Sequence, residues 1–189
     1  MQEKLDLKSM SFAQVRALCD SLGFPAFRAG QIFAWCGRGI TAFSEMTDLN
    51  KADRAALQAK TCLTPYKIAE KFVSTLDGTA KYLIKLQNGY TVEAVVMRYR
   101  YGLSACLSTQ AGCRMGCAFC ASTVNGLGRN LSAGEILDQY LLLSKDQGER
   151  IGSVVLMGMG EPLDNYDNVV RFLENIADPM GVGLSHRHI

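Results

Sequence analysis

The 189-residue chain has little of what marks a membrane-spanning, secreted or disordered protein. It contains only four prolines and no tract rich in serine, glycine and proline, which leaves little room for a disordered linker. Its longest apolar runs, such as residues 154–157, are far shorter than the roughly 20 residues that cross a bilayer. The first six residues lack an apolar signal-peptide core. We therefore expect a cytoplasmic protein without membrane contact.

The chain also lacks a strong charge of either sign. Its formal net charge is +2, and 48% of its residues are hydrophobic and 20% charged, as in an ordinary soluble protein with a core. A charge this small does not by itself point to nucleic acid, although it does not exclude RNA. The length suits one domain or two small ones.

Cysteine is the residue type with an unusual distribution. Three cysteines stand alone and four lie within fifteen positions, the first group being Cys19, Cys36 and Cys62 and the second Cys106, Cys113, Cys117 and Cys120. A secreted disulfide scaffold would be shorter and more regularly spaced. In a reducing compartment, clustered thiols indicate metal or redox chemistry, whereas isolated ones are mostly small buried hydrophobes.

Capping and turn signals predict three helices in the first sixty residues. Ser11 and Gln14 form a capping box that opens a helix reaching about Leu22. Two further helices are predicted over residues 26–36 and 50–60. Helix pairs joined by glycine-rich turns occur as RNA- or DNA-facing modules and also as plain packing units, and both readings remain open at this point.

Two β-rich segments follow, separated by a turn signal. Residues 81–86 and 90–97 flank the pair Asn88-Gly89, which favours a hairpin with a type I′ turn. From Ser104 the pattern changes to strand, loop and helix.

This last part contains two βα units in succession. Strands are predicted over residues 104–109 and 153–159, and helices from Ser132 to about 145 and over 165–176. Such units imply parallel strands with right-handed crossovers, so the fold class is α/β. A closed barrel needs more units than two, and we expect the chain to end inside a domain.

The spacing of Cys113, Cys117 and Cys120 suits a [4Fe–4S] cluster. Each iron of the cube needs a ligand from outside, and three cysteines leave one iron open. An amino and a carboxylate group of a small molecule can chelate that iron, which is what radical S-adenosylmethionine (SAM) chemistry requires. Structural zinc normally takes four protein ligands, so Cys106 or a distant histidine would have to supply the fourth. Ordinary free thiols are the remaining alternative.

The residues around this loop resemble those of a known family. Phe119 before the last cysteine matches the radical SAM motif. The flanking segments 102–110, 120–123, 128–131, 135–136 and 158–166 resemble the dual-specificity RNA adenine C2-methyltransferases, the RlmN family. Residues 27–32 and 45–47 resemble the accessory domain of that family. The resemblance extends over nearly the whole chain from about residue 10.

The resemblance implies both architecture and activity. Residues 1–63 would form a helical, RNA-binding-like accessory domain, residues 64–100 a β-hairpin connector, and residues 101–189 the first, truncated part of a radical SAM (β/α) barrel. The family methylates C2 of adenine in 23S ribosomal RNA and in tRNA through a methyl-cysteine intermediate. Its cofactors are a [4Fe–4S] cluster and SAM, and its electron donor would be of the flavodoxin or ferredoxin type.

Seven positions of this sequence match the site of that family. Cys113, Cys117 and Cys120 would bind the cluster, Gly160 and Glu161 the amino group of SAM, Cys106 would be the resolving cysteine and Glu93 the proton acceptor. Strand alternation puts Glu93 on one face with Val95 and Met97, a half-apolar setting that suits a base. The alternatives are a buried structural thiol for Cys106, a solvent-facing glutamate on an edge strand for Glu93, and a tight turn for the glycines.

Other positions are matched less closely or not at all. Candidates for phosphate contacts, each otherwise an exposed charge, are Arg28, Lys51, Arg54, Arg98, Arg100 and Arg129. No residue matches the methylated cysteine, which lies near the C-terminus in the family, so we expect an inactive fragment. The alternative functions are a zinc-stabilised RNA-binding module without catalysis and a radical SAM enzyme that acts on another substrate.

Overall fold

The N-terminal third of the chain forms a small helical unit. The structure is a computed structural model that describes residues 4–64 and 66–189. Residues 1–3, part of the segment judged not to be a signal peptide, lie outside the described residues. The elements of this unit are helices α1 (Phe12–Ser21), α2 (Phe27–Gly37) and α3 (Lys51–Lys60) and the paired two-residue strands β1 (Leu5–Asp6) and β2 (Thr61–Cys62).

The capping signals explain where these helices begin. The Ser11 hydroxyl accepts a hydrogen bond from the Gln14 backbone N–H at 3.2 Å, and the Ser11 N–H donates to the Gln14 side chain at 2.9 Å. Asn50 caps α3 by accepting from the Asp53 N–H at 2.8 Å. All three predicted helices are confirmed. Cys19 and Cys36 are buried in this unit, as expected, and burial raises the pKa of Cys36 to about 12, so its thiol is unreactive at neutral pH.

A five-stranded sheet dominates the rest of the chain. Its strands, in spatial order, are β3 (Lys67–Val73), β4 (Ala80–Lys85), β5 (Thr91–Tyr99), β6 (Gly102–Cys106) and β9 (Ile151–Val155). The first four are antiparallel, and β6 and β9 are parallel. A second small sheet pairs β7 (Gln110–Gly112) with β8 (Leu127–Asn130). The expected α/β class and the parallel pair of strands are confirmed.

Helices α4 (Ala133–Gln147) and α5 (Tyr166–Ala177) cover one face of the sheet. On β5, Val92, Ala94 and Val96 are buried in this core, while the alternate residues point to the other face and are only half-buried. Ser132 caps α4 through the predicted capping box with Glu135. The sheet therefore has one closed face and one more open face, and the open face carries the candidate site.

The turn type and the ends of two strands were predicted wrongly, and one strand was not predicted. In residues 4–64 and 66–189 no residue other than glycine has a positive φ, so Asn88 cannot form a type I′ turn. Instead, the Gly89 N–H donates to the Leu86 carbonyl at 3.3 Å and Gly89 has a φ of +87°, which is the three-residue loop with a glycine bulge. Strand β3 was not predicted. The two strands expected to end at residues 109 and 159 end at Cys106 and Val155.

The helical unit is attached to the barrel part through buried polar contacts. The ammonium group of Lys8 forms an ion pair with Asp138 of α4, and the two side chains are only 2% and 9% exposed. The Asn175 amide donates to the carbonyl oxygens of Lys8 and Met10 at 3.2 and 3.1 Å.

No helix in the described part of the chain is long and apolar enough to cross a membrane.

Candidate active site

The three clustered cysteines lie on a loop with a fixed base and an exposed tip. The Cys113 N–H donates to the Gly126 carbonyl at 3.1 Å, and the Cys120 carbonyl accepts from the Thr123 hydroxyl at 2.9 Å. Cys113 is buried, Cys120 is half-buried, and residues 114–119, including Cys117, are exposed. The base can therefore hold its shape while the tip adjusts to a ligand.

Glycines allow the base of this loop to close. Gly112 has a φ of +79°, and a Cβ there would collide with the Gly126 carbonyl. At Gly128, a Cβ would lie 2.5 Å from the Tyr90 ring and 3.0 Å from the Ala111 carbonyl. Gly112 thus lies against the residue just before β8, and Gly128 lies against Ala111 of β7. Any larger residue at either position would push the two strands apart.

The donor set of the loop fits a [4Fe–4S] cluster. Thiolates are the usual cluster ligands, and all three come from one eight-residue segment. Within the described ranges, no three His, Cys, Asp or Glu side chains converge as they would around one metal ion. In a [4Fe–4S] cube each cysteine binds a different iron, so the three thiolates need not converge on a single metal ion.

The turn after β9 lies against the segment that follows β6. Its backbone N–H groups are used in order: that of Gly158 donates to the Leu107 carbonyl at 3.0 Å, that of Met159 to the Ser108 hydroxyl at 2.8 Å, and that of Glu161 to the Gln110 side-chain oxygen at 2.8 Å. The predicted SAM-binding residues Gly160 and Glu161 are thus placed at the carboxyl ends of the two parallel strands, where ligands bind in such folds.

Close backbone approach, and not only turn formation, requires the two glycines of this turn. A Cβ at Gly158 would lie 2.7 Å from the Leu107 carbonyl oxygen. At Gly160, where φ is +101°, a Cβ would lie 2.6 Å from the Gln110 Cβ. Neither neighbour is the flexible end of a side chain, so both positions exclude other residues.

Gln110 links this turn to the cysteine loop. It is completely buried, and its amide nitrogen donates to Asn130 and to Asp164, each at 2.8 Å. Asp164 in turn forms a two-pronged ion pair with Arg114, whose Nε lies 2.9 and 3.1 Å from the two carboxylate oxygens. Sequence reasoning missed Gln110, Arg114 and Asp164. The sequence carries no clear signal for these three residues beyond the position of Gln110 shortly before the first cysteine.

The predicted catalytic residues Glu93 and Cys106 share the open face of the sheet. The register pairs Val95 directly with Cys106, so Glu93 lies two residues further along β5 on the same side. The Ser108 hydroxyl donates to the Glu93 carbonyl at 2.5 Å and ties β5 to the turn after β9. Strand β5 lies between β4 and β6, so the edge-strand alternative for Glu93 is wrong.

The immediate surroundings of these two residues differ from a purely apolar pocket. The Glu93 carboxylate pairs with Lys81 on β4 at 2.7 Å, and its side chain is 44% exposed. The predicted half-apolar setting of Glu93 is therefore corrected in one respect. Val95 and Met97 share its face of the sheet, but the ammonium group of Lys81 lies beside its carboxylate. Cys106 is half-buried, and burial raises the pKa of its thiol, an effect that a hydrogen bond from the Met157 backbone opposes. At neutral pH it is protonated.

Two of the six candidates for phosphate contacts have other roles. Arg28 contacts Asp53 at 3.1 Å and the Asp48 carbonyl at 2.7 Å, and its side chain is largely buried. Arg129 forms a two-pronged ion pair with Glu135, which also accepts from the Tyr66 hydroxyl at 2.8 Å. Both arginines form ion pairs within the chain, so the alternative of an exposed charge is wrong for them.

The remaining four candidates are more accessible. Lys51 and Arg100 are exposed, Arg54 donates to the Ser44 carbonyl at 2.9 Å, and Arg98 pairs with Glu149 at 3.1 Å.

A cleft of about 610 Å³ lies away from the cysteines, between the ends of α2 and α4, and contains none of the predicted site residues.

Comparison with known proteins agrees with this arrangement. Residues 5–63 match the model of the ribosomal RNA large subunit methyltransferase N-terminal domain, and residues 107–188 match that of the radical SAM superfamily. The chain is 50% identical over 187 residues to a probable dual-specificity RNA methyltransferase RlmN of Alkaliphilus metalliredigens, covering 99% of this chain and 53% of that protein. The chain therefore resembles RlmN proteins over nearly its whole length.

Other RlmN relatives and one solved structure agree with that assignment. A probable RlmN of Desulforamulus reducens is 48% identical over 187 residues, covering 98% of this chain and 53% of its own length. The crystal structure of a radical SAM methyltransferase from Sphaerobacter thermophilus superposes with a TM-score of 0.88 at 35% identity, covering 98% of this chain and 55% of that one. The chain thus spans about half the length of each of these proteins.

Proposed function

We propose that this chain forms the cluster- and SAM-binding part of an RNA methyltransferase that modifies C2 of adenine in 23S rRNA and tRNA. The observation that carries the proposal is the linkage of the cysteine loop to the glycine turn after β9 through the Arg114–Asp164 ion pair and Gln110. A cluster and the cofactor it cleaves must lie side by side, and these two segments do. The proposal also rests on the similarity of the chain to RlmN proteins.

Each site residue has a proposed task. Cys113, Cys117 and Cys120 would hold the cluster, and the Gly160 backbone and the Glu161 side chain would bind the amino group of SAM. With both bound, the chemistry supplied is one-electron reductive cleavage of SAM to a carbon radical. The Cys106 thiol, whose pKa is raised by burial, would have to lose its proton before it takes part in thiol–disulfide exchange. Glu93, beside Lys81 at 2.7 Å, would accept a proton from the base.

The complete reaction needs more than these residues. We propose that methyl transfer runs through a methyl-cysteine that is not among the residues of this chain. The chain by itself is then expected to bind cluster and SAM without converting adenine to 2-methyladenine. The RNA partners, a flavodoxin- or ferredoxin-type electron donor and a cytoplasmic location belong to the same proposal.

Cys117→Ala tests the cluster assignment. After anaerobic reconstitution with iron and sulfide, the unchanged chain is expected to show broad visible absorbance, and Cys117→Ala should lose most of it because the cube loses one of three protein ligands. Iron and acid-labile sulfide analysis measures the loss. Cys106→Ala is the matched control, since it removes a neighbouring thiol that is not a ligand, and it should keep the absorbance.

Two results would count against the proposal. Equal absorbance in Cys117→Ala and Cys106→Ala would mean that the loop does not hold the cluster. Stoichiometric zinc binding without visible absorbance in the unchanged chain would support the zinc-stabilised module instead.

A further inference from the structure

We propose that Arg114, Gln110 and Asp164 form a bridge that couples SAM binding to the order of the cysteine loop. Arg114 follows the first cluster cysteine directly, and Asp164 follows Glu161 by three residues. We call these three residues the loop–turn bridge. The inference rests on the proposed function and assigns positioning roles to residues that touch neither the cluster nor SAM.

The ion pair of the bridge has the geometry of a specific contact. The planar guanidinium of Arg114 meets both oxygens of Asp164, with Nε at 2.9 and 3.1 Å and one terminal nitrogen also in contact. Such two-pronged pairing fixes orientation as well as distance, which a lysine cannot do. The Asp164 side chain is only 9% exposed, whereas that of Arg114 is 63% exposed. The fixed partner is therefore the carboxylate.

Gln110 holds that carboxylate in place and continues the contact to the turn. Its amide nitrogen donates to Asp164 at 2.8 Å, and its amide oxygen accepts from the Glu161 N–H at 2.8 Å. Gln110 is completely buried, and its Cβ lies where a side chain at Gly160 would be. An unbroken chain of hydrogen bonds thus joins Arg114 at the exposed tip to the backbone of the proposed SAM site.

Coupling follows from this connection. Because the Arg114 side chain is 63% exposed, we expect its ion pair to contribute modestly to folding and to act mainly on the order of the loop. The tip of the cysteine loop is exposed, and the bridge is the side-chain contact that orders it against the turn. If ordering the loop improves the SAM site, then SAM must order the loop to the same extent, because binding free energies are reciprocal.

Asp164→Asn separates the ion pair from the rest of the bridge. The amide can still accept from Gln110 and has the same size, but it loses the charge that pairs with Arg114. In the cluster-loaded chain we expect SAM affinity to fall about tenfold by titration calorimetry, a typical coupling magnitude. In the chain without cluster, the Cys120 amide, which donates to the Cys117 carbonyl at 3.0 Å, should exchange hydrogen several-fold faster. Cluster content should not change.

Two further sets of variants make the test specific. Glu149→Gln removes the Arg98–Glu149 pair, which is also an arginine–carboxylate contact, at 3.1 Å and outside the site, and should leave SAM affinity and loop exchange unchanged. Arg114→Ala should match Asp164→Asn, and Arg114→Lys should recover only part of the affinity because it keeps the charge without the fork.

The possible failures can be told apart. SAM affinity and loop exchange in Asp164→Asn that equal those of Glu149→Gln would overturn the bridge, although the proposed function would stand. If the unchanged cluster-loaded chain does not bind SAM, the proposed function and the coupling both fail. Faster loop exchange together with weaker SAM binding in Asp164→Asn and in Arg114→Ala would support the bridge.

Discussion

Gly160→Ala should abolish SAM binding, and it should destabilise the chain more than alanine does at a glycine with open surroundings. The added Cβ would lie 2.6 Å from the Cβ and 2.8 Å from the backbone nitrogen of Gln110, which is completely buried and bonded on both sides. A φ of +101° adds backbone strain. Overpacking costs about 1–3 kcal/mol and such strain another 1–3, so we expect about 3–5 kcal/mol in urea denaturation.

Gly102→Ala is the matched control for this experiment. Gly102 has a similarly unusual φ of +122°, but a Cβ there would meet nothing within 4 Å. Gly102→Ala should therefore show only the loss of stability caused by backbone strain, and it should leave SAM binding intact. If the two variants were equally stable, the close approach of the turn to Gln110 would not be what requires glycine at position 160.

Lys8→Met should destabilise the chain by about 3–5 kcal/mol, because it leaves the Asp138 carboxylate buried without its partner. The Lys8 and Asp138 side chains are 2% and 9% exposed, so water cannot replace the lost contact. Denaturant unfolding at pH 8 measures the effect. Lys71→Met is the control: it breaks the ion pair with Asp146, also a lysine–aspartate contact, but one whose side chains are 36% and 27% exposed, and should cost about 1 kcal/mol or less.

The effect of Lys8→Met should depend on pH in a defined direction. Burial raises the pKa of Asp138 to about 7, with Asp6 and Glu135 acting in the same direction and Lys8 opposing them. The folded state therefore binds more protons than the unfolded state between about pH 4 and 7, and stability falls as pH rises through that range. Without Lys8 the fall should continue to higher pH.

The loss caused by Lys8→Met should consequently be smaller at pH 5 than at pH 8, since a protonated Asp138 needs no cation. The double variant Lys8→Met/Asp138→Leu should recover much of the stability at pH 8, because it removes the buried charge altogether. A loss that is the same at both pH values, and that persists in the double variant, would show that Lys8 acts through packing alone.

The elements that were predicted correctly are those whose signals are local. The capping boxes at Ser11 and Ser132 each lie within four residues, and the helix that follows needs no distant partner to begin. The cysteine spacing is equally local. Such signals were sufficient to predict the helices and the parallel strands, and they also nominate the candidate site residues.

The features that were missed depend on contacts between distant segments. Strand β3 is an edge strand rich in lysine and glutamate, with most of its residues exposed, and it exists because β4 pairs with it. Arg114 and Asp164 are separated by 50 positions. Arg28 and Arg129 looked like free charges because their acidic partners cannot be assigned from sequence spacing alone.

The base of the cysteine loop has a consequence for the stage at which a cluster could be inserted. The contacts that close it are backbone hydrogen bonds and glycine approaches, and none of them uses a thiol of Cys117 or Cys120. In a zinc finger, by contrast, the metal is what makes the chain fold. If Cys113, Cys117 and Cys120 hold a cluster, we therefore expect the polypeptide to fold first and to receive iron and sulfide afterwards through the exposed tip, and we expect a chelator to empty the site without unfolding its surroundings.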